Sequence, residues 1–479
     1  PTARLPGPWY AGLGPFDFIY RMVSGQNFEI LHRRHLKYGP VMRVGPRDVS
    51  ISDCQVVKDL LSNHNYAKPV QVYKNVFEPL EPTILSTSDP IFHRKRKGIL
   101  APVFTWASLH RMEGTIRDSG VGPLIKKLRQ ICHQKQAHGI NLYKEFVGMA
   151  FDVMGYLVFG QTFGAVEQDD ITIVEWLGDY FVSATMIRAL PILKGRLGNL
   201  IPPVRRGKMA MDSMCQLAID AITRRQVLLA TANCDGDFDT VPNDILQLMI
   251  GATDPNSGEK LSNIDLASES LLQLIAGSDT TGYALTWVMY GLLTHPECYR
   301  RLEAEVLDAF PLIPSQDVNP DSEVDLISHD DVKNRLPYLE AVIQEALRFY
   351  PPAVTSVPRI IPPEGLTIGS YFIPGGYLLS APMYAINHSP LAFDRADEFI
   401  PERWLEVADM NTLKQSTLTF LSGPRTCLGR NLAMMELRLV MANLIRHFHC
   451  ELSNRNVIPF EYVTLRPKNR ELMVKLTAR

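Results

Sequence analysis

The feature that most constrains the fold is a long apolar segment that begins at Ser262. Ser262 is suited to be an N-cap, with Asp265 three residues later as a capping-box variant. The helical pattern continues to Thr294, where His295-Pro296 ends it. At about 1.5 Å per residue this helix is roughly 50 Å long, enough to cross a whole domain. We therefore expect a helical fold organised around this segment.

The middle of this helix has an unfavourable composition. The stretch "LLQLIAGSDTTGYAL" places two glycines together with Ser, Asp and two Thr inside an apolar run. Each glycine costs about 1 kcal/mol relative to alanine, and the polar side chains compete for backbone hydrogen bonds. One interpretation is a break, with two helices meeting at a polar turn. The sequence favours the other, a helix that opens beside a buried polar reaction site.

Most of the remaining chain also shows helical periodicity. Strands are expected in two places, and both Gly39–Asp53 and Leu366–Pro382 predict hairpins. Two polar segments, Thr231–Asp244 and Ile313–Asp325, predict surface loops. Length alone allows about three domains, but no repeat or linker is present. We therefore expect one α-rich unit, residues 1–479, with a minor β part.

Charge and cysteine content exclude several classes of protein. The net charge of −2 gives no overall basic balance that would point to nucleic acid. The seven cysteines are scattered, odd in number and without a CxxC pair. This pattern argues against a disulfide framework and a structural zinc site, and for a reducing compartment.

One cysteine lies in an unusual setting, the stretch "FLSGPRTCLGR". Cys427 precedes a predicted helix, whose N-terminal N–H groups and dipole stabilise a thiolate. Gly423 and Gly429 allow the backbone to approach a large flat group, and Arg425 offers a planar charge for a carboxylate. The set suits a haem, with thiolate to iron and arginine to a propionate. The alternative is a buried inert cysteine.

The pattern F-x-x-G-x-R-x-C-x-G resembles the haem-binding signature of the cytochrome P450 superfamily without a departure. The segment Phe399 to Trp404 is similar to the family's PERF motif, with Trp404 in place of the usual Phe. The resemblance spans nearly the whole chain, and it implies a mainly α fold with a minor β part, a long central helix over the haem and a small β-sheet region on the N-terminal side. The other similar segments are "LPGP" (Leu5 to Pro8), "AGSDTT" (Ala276 to Thr281), "EALR" (Glu345 to Arg348) and "FIPERW" (Phe399 to Trp404).

The resemblance also implies roles for individual residues. Cys427 is the expected iron ligand, Thr280 the distal alcohol that orders a water, and Asp279 the acid that relays protons. Ala276 and Gly277 are small and leave room above the iron.

Further implied roles concern the cofactor and the fold. A structural network behind the haem joins Glu345, Arg348 and Arg403. The basic run in "FHRKRKGILAPVF" leaves three side chains for docking an acidic electron donor: Arg94, Lys95 and Arg96. Lys97 stands where the family usually has Arg. The expected cofactor-binding residues, beside Ala276 and Gly277, are His93, Lys97, Arg359, Phe420, Arg425 and Gly429.

The implied function is a haem-thiolate monooxygenase that hydroxylates a lipophilic small molecule with O2. Electrons come from NADPH through a separate reductase, with cytochrome b5 as an additional donor. The haem is b-type because no CxxCH motif is present. The Pro-rich opening implies the cytosolic face of the endoplasmic reticulum membrane, with the anchor trimmed from this chain. The alternatives are an isomerase, dehydratase or peroxygenase on the same fold, which Asp279-Thr280 argues against, and a haem-based gas sensor or carrier.

The substrate is constrained only in polarity. The family's substrate-contacting regions correspond to mostly apolar stretches here, among them Lys68–Asp89 and Phe181–Pro203. They suit a steroid, terpenoid, fatty chain or apolar alkaloid. The stretch Ala189–Val204 mixes apolar residues with Lys and Arg, as in a membrane-dipping loop or a buried one. The sequence as a whole resembles a fungal secondary-metabolic or xenobiotic member of the superfamily.

Overall fold

The computed structural model of the chain describes residues 5–77, 80–134, 139–235, 241–242, 244–254, 257–312, 324–354, 356–405, 413, 416–453 and 456–479. These residues are mainly helical and carry small β-sheets, so the predicted fold class is confirmed. No helix in these ranges is long and apolar enough to span a membrane.

The helices carry most of the buried core. The α-helices of the described residues are α1 (Phe16–Ser24), α2 (Asn27–Tyr38), α3 (Cys54–Ser62), α4 (Val70–Phe77), α5 (Pro90–Leu100), α6 (Trp106–Ile116), α7 (Gly122–His133), α8 (Leu142–Phe159), α9 (Thr172–Ala189), α10 (Pro202–Asp235), α11 (Ile245–Gly251), α12 (Asn263–Thr294), α13 (Pro296–Ala309), α14 (His329–Arg335), α15 (Pro337–Phe349), α16 (Met383–Asn387) and α17 (Arg430–His447).

The strands form four small sheets within the described ranges. The orders are β1-β2-β7-β4, β3-β11-β8, and the pairs β5-β6 and β9-β10. The strands are β1 (Val41–Arg43), β2 (Asp48–Ile51), β3 (Ile140–Asn141), β4 (Arg359–Ile360), β5 (Leu366–Ile368), β6 (Tyr371–Ile373), β7 (Leu378–Ser380), β8 (Phe448–Leu452), β9 (Pro459–Glu461), β10 (Leu465–Pro467) and β11 (Met473–Ala478).

The two predicted hairpins are present, with one correction. β1 and β2 pair antiparallel, with Met42 opposite Ser50, and β5 pairs with β6 across a turn at Gly369. The third strand of the second segment, β7, instead lies parallel to β2 and antiparallel to β4. The expectation that strands cluster in only two places was wrong, because β8–β11 form further sheets near the C-terminus. These strands are short and lack a clear alternation of polar and apolar residues.

The central helix α12 has its predicted ends. Ser262 accepts from the backbone of Asp265 and completes a capping box, and His295 follows the last turn. The helix is continuous through the glycines, so the prediction that it opens there was wrong, and the alternative of a break is excluded as well. A side chain at Gly282 would come within 2.8 Å of the Val147 backbone, and one at Gly277 within 2.6 Å of the Met154 sulfur. The glycines therefore allow α8 to cross close to α12.

The predicted loop Thr231–Asp244 was wrong in its first part. Helix α10 continues to Asp235, while residues 236–240 and 243 lie outside the described residues. Most of the other predicted loop, Ile313–Asp325, also lies outside them.

Candidate active site

A cavity of about 300 Å³ lies between α12 and the start of α17. Its lining includes small residues of α12, the loop before α17, and several basic side chains. The structure therefore brings together the predicted iron-ligand, cofactor-binding and catalytic residues, with Asp279 as the exception among them. The predicted residues that line the cavity are His93, Lys97, Ala276, Gly277, Thr280, Arg359, Phe420, Arg425, Cys427 and Gly429.

The loop that carries Cys427 is fixed from both sides. The Cys427 N–H donates to the Phe420 carbonyl at 2.9 Å, and α17 begins three residues later. Gly423 has a φ of +69°, and a side chain there would come within 2.8 Å of the Leu61 carbonyl oxygen. Burial raises the pKa of the Cys427 thiol, while the N–H groups of Gly429 and Arg430 lower it. The thiol therefore faces the cavity with donors already directed at its sulfur.

Basic side chains converge on the same cavity. Burial and the charges of Arg425 and Arg359 lower the pKa of Lys68 to about 6. Burial and Arg425 lower the pKa of His93 to about 3. Burial and Arg359 lower the pKa of Arg425 to about 10. Buried basic groups whose charged forms oppose one another indicate a site built for carboxylates supplied by a ligand.

Neutral partners hold these cations in place. Arg425 donates to the carbonyl oxygens of Ile84 and Thr87, both at 3.1 Å. Arg359 donates to the Tyr73 hydroxyl at 3.3 Å. Lys97 donates to the Pro424 carbonyl at 2.8 Å and so ties α5 to the cysteine loop.

Sequence reasoning missed Lys68 and Tyr73 as cavity residues with polar roles. Lys68 donates to the Leu85 carbonyl, and its ammonium lies 3.6 Å from the centre of the Tyr73 ring. The sequence identifies Lys68 only as the start of an apolar substrate-contacting stretch. A single lysine without a motif gives no signal, because its role depends on α4 lying against this cavity.

Two neighbouring residues of α12 face different surroundings. Thr280 lines the cavity, and its hydroxyl donates to the Ala276 carbonyl at 2.7 Å. Asp279 is 1% exposed and accepts from the Thr464 hydroxyl at 2.8 Å. Burial raises the pKa of Asp279 to about 6, against the lowering effect of hydrogen bonds from Tyr283 and Thr464. This acid therefore changes its protonation state near neutral pH.

The predicted contacts among Glu345, Arg348 and Arg403 are present as hydrogen bonds from both arginines to the glutamate. Glu345 and Arg348 are both 0% exposed and share two hydrogen bonds of 2.8 and 2.9 Å. Arg403 donates to Glu345 at 3.1 Å. Trp404, the departure from the family motif, donates its indole N–H to Glu345 at 2.8 Å. The departure thus adds a donor to the same carboxylate.

Arg348 extends this network into the following loop. Its guanidinium donates to the carbonyl oxygens of Asn387, Ala396 and Glu398 at 2.7 to 2.9 Å. Burial opposes ionisation of Glu345, but the arginines outweigh it and hold its pKa below the usual value. The charged pair therefore fixes the chain that leads towards the cysteine loop.

The predicted docking role of Arg96 was wrong. Arg96 is buried and pairs with Asp265 at 2.7 Å and Glu269 at 3.3 Å, both on α12. On α5 it lies three residues after His93, and this spacing places both on the inner helix face. Arg94 and Lys95 are exposed on the other side.

Glu436 of α17 is a buried acid that the sequence analysis did not identify. It is 1% exposed, and neither carboxylate oxygen has a hydrogen-bond partner among the described residues. Burial raises its pKa to about 8. The fold therefore holds this group in its protonated form at neutral pH.

Glu436→Gln is expected to raise the free energy of unfolding at pH 7 to 8 by about 1–3 kcal/mol. The Glu436 pKa is higher in the folded chain than in the unfolded one, so its stabilising effect is full below the ordinary value of 4.5 and is lost as the pH rises through 8. Urea unfolding at several pH values measures this. The exposed Glu297→Gln is the matched control. Parallel stability–pH curves for the wild type and the Glu436 variant would contradict the prediction.

Comparison with known proteins identifies the family. The model of the family described as cytochrome P450 matches residues 6–474. Cytochrome P450 monooxygenase helB1 of Aspergillus fumigatus is 30% identical, covering 95% of this chain and 75% of the relative. Cytochrome P450 monooxygenase stcF of Emericella nidulans is 27% identical, covering 97% and 91%. Averantin hydroxylase of Dothistroma septosporum is 27% identical, covering 97% and 83%.

The chain belongs to the cytochrome P450 family, as the sequence predicts. It is an oxidoreductase of the monooxygenase type. Family membership implies a haem iron, dioxygen, a redox partner and a small-molecule substrate. The cavity fits such a cofactor, since it combines a thiol, glycines that permit close approach, and cations suited to carboxylates.

Proposed function

We propose that this chain is a haem b monooxygenase that hydroxylates a lipophilic small molecule, with Cys427 as the thiolate ligand of the iron. The observation that carries the proposal is a single cavity that holds this thiol together with a cluster of basic side chains, including Lys68, Arg359 and Arg425. The absence of a CxxCH motif supports a non-covalently bound b-type haem.

Basic residues of this chain would hold the two propionates. Arg425 and Arg359 are positioned by backbone and tyrosine contacts, and His93 and Lys68 lie beside them. Lys97 contributes by fixing the Pro424 carbonyl rather than by a bidentate contact. Phe420 and Gly429 line the cavity from the cysteine loop and would pack against the cofactor. A haem held in this way supplies the reduction of dioxygen and the transfer of one oxygen atom to carbon.

The residues of α12 provide space and protons. Ala276 and Gly277 leave room for the substrate because they carry almost no side chain at the cavity wall. Thr280 holds a hydroxyl at that wall and orders a water there. Asp279 lies behind it, held by Thr464 and Tyr283, and its pKa of about 6 lets it pass protons towards Thr280.

Asp279→Asn is expected to lower kcat by about 100-fold, because an amide cannot resupply protons. The ligand-induced shift of the Soret band should stay unchanged, since Asp279 does not line the cavity. Turnover and spectral titration on one preparation measure both effects, with the exposed Asp308→Asn as control. An unchanged kcat would refute the role of Asp279.

We further propose that residues 1–479 act as one catalytic domain at the cytosolic face of the endoplasmic reticulum membrane. Exposed apolar side chains near the N-terminus and in the segment after α9 support contact with a membrane surface. Leu200 is 78% exposed and Ile192 is 66% exposed. The other members of this apolar surface are Trp9, Leu13, Phe16, Tyr20, Val23 and Leu197.

Electrons would come from NADPH through a separate cytochrome reductase, with cytochrome b5 as an additional donor. Arg94 and Lys95, both exposed on α5 beside the proposed haem site, support docking of an acidic partner. Incubation with NADPH, the reductase and isotopically labelled dioxygen tests the proposal across a panel of steroids, terpenoids, fatty acids and alkaloids. One labelled oxygen atom in the product is expected. Product formation without labelled oxygen or NADPH consumption would favour an isomerase or dehydratase instead.

A further inference from the structure

A second cavity, of about 540 Å³, lies beside the proposed haem cavity. It is enclosed by α1, α2, the end of α9 and the sheet that contains β2 and β7. The wall between the cavities is thin, because neighbouring residues line opposite sides. Val72, Ser356 and Pro358 face the second cavity, whereas Tyr73 and Arg359 face the first.

Arg188, in the last turn of α9, supplies a cation to the second cavity. Its guanidinium lies 5.8 Å from the centre of the Phe18 ring, and its buried Nε has no hydrogen-bond partner in the part of the chain that is described. Burial lowers the pKa of Arg188, and the acid that acts on it most is Glu461. The Glu461 carboxylate already accepts from the Asn27 side chain at 3.2 Å and the Phe28 N–H at 2.8 Å.

The other charged groups of this cavity are differently placed. Arg21 is paired with Asp17 at 2.9 Å and also donates to Asn27. Asp48 experiences the charge of Arg21, and burial raises its pKa. Arg188 therefore makes no salt bridge to a described residue, and Glu461 is the acid whose charge reaches it.

A haem propionate is a poor candidate for the missing anion. Arg188 and the proposed propionate-binding Arg359 and Arg425 all act on Tyr73, but the Tyr73 hydroxyl accepts its hydrogen bond from Arg359. Arg188 lines the second cavity and Arg359 the first. An arginine stays charged when buried, and a buried charge without a direct ion-pair partner is costly, even though Glu461 offsets part of the cost here. A second anion, brought by a ligand of the second cavity, would remove this cost.

The rest of the cavity wall determines the character of that ligand. Most of the other lining side chains are apolar, and α1 leads from the cavity to the exposed apolar surface that includes Phe16 and Tyr20. We propose that Arg188 is a specificity-determining residue that binds the carboxylate of a lipophilic acid, which is the substrate class of this enzyme. The proposal rests on the proposed function and narrows its substrate from lipophilic molecules in general to lipophilic carboxylic acids. The apolar wall residues include Phe18, Met22, Leu31, Val44, Val72 and Ile187.

The test compares each acid with its methyl ester, which removes the charge and keeps the apolar body. The probes are myristic acid and methyl myristate, and a tricyclic diterpene acid with its methyl ester. Equilibrium dialysis against the purified holoenzyme measures Kd for each probe, and initial rates with the reductase measure kcat/KM. The variants are Arg188→Gln and Arg188→Lys, with Arg205→Gln as control, since Arg205 is exposed on α10.

The wild type and the Arg205 variant should bind at least one acid about 10- to 100-fold more tightly than its ester, the usual range for a hydrogen-bonded charge. Arg188→Gln should remove the preference by weakening the acid alone, and Arg188→Lys should retain part of it. Equal binding of acid and ester by the wild type, or equal losses for both in Arg188→Gln, would overturn the inference. If a variant folds poorly, the comparison of acid with ester on the wild type still tests whether the enzyme prefers a carboxylate.

Failure of the proposed function is separately visible. The carbon monoxide difference spectrum of the same preparations reports the thiolate-ligated haem, whereas dialysis reports carboxylate binding. A normal spectrum without an acid preference refutes the inference alone. An acid preference without a thiolate-type spectrum refutes the proposed function and supports Arg188 as a carboxylate site.

Discussion

Cys427→Ala is expected to abolish monooxygenase turnover. The proposed chemistry needs a thiolate at this position, and alanine offers no ligand to the iron. The cavity and its cations remain in the variant, so we expect haem content to fall rather than the fold to be lost. Haem content per chain, product formation with NADPH and reductase, and far-ultraviolet circular dichroism measure these three properties together.

Two variants make the result on Cys427 specific. Cys234→Ala removes an exposed thiol on α10 and should behave as the wild type. Cys427→His supplies a nitrogen ligand and should keep haem but show no thiolate-type spectrum. Wild-type turnover in Cys427→Ala would contradict the assignment, and so would a thiolate-type spectrum in Cys427→His.

Glu345→Gln is expected to lower the free energy of unfolding by about 3–5 kcal/mol, the usual cost of leaving one partner of a buried ion pair alone. Arg348 would keep its charge at 0% exposure, and Arg403 and Trp404 would lose a charged acceptor. Because this network holds the chain that leads to the cysteine loop, haem should also dissociate more readily. Urea unfolding and the rate of haem transfer to apomyoglobin measure the two effects.

An exposed pair nearby provides the matched control for Glu345. Glu398 pairs with Arg395 at the surface, where both side chains are more than half exposed. Glu398→Gln should leave the unfolding midpoint and the haem transfer rate unchanged, because exposed pairs add little to stability. Similar losses in both variants would mean that Glu345 has no special structural role.

The sequence predicts a structural feature well where residue spacing within one helix or its flanking loop determines that feature. The ends of α12, the thiol three residues before α17 and the i,i+3 contact of Glu345 with Arg348 all follow from local patterns. Arg96 shows the limit of such reasoning, because a basic run predicts an exposed face. Its burial depends on α12 presenting Asp265 and Glu269 to it from 169 residues or more along the chain.

Residues that act through tertiary contacts carried little sequence signal. Lys68 and Tyr73 reach the cavity because α4 and the residues just before it lie against the cavity wall. Arg188 lies in a stretch predicted to be a mostly apolar substrate region, and its surroundings depend on tertiary contacts, since the acid that acts on it, Glu461, accepts from Asn27 and Phe28. The sequence also did not predict that α12 is continuous. Its glycines indicated a weakened helix, whereas in the structure they make room for α8 to cross close by, which is a tertiary contact.

The absorption spectrum of the purified wild-type protein, reduced and exposed to carbon monoxide, tests the central claim most directly. The account predicts the band characteristic of a thiolate-ligated haem, with about one haem per chain. That result would agree with Cys427 as the ligand and with the cation cluster as the propionate site. A spectrum typical of histidine ligation, or a chain that takes up no haem, would contradict the proposed function.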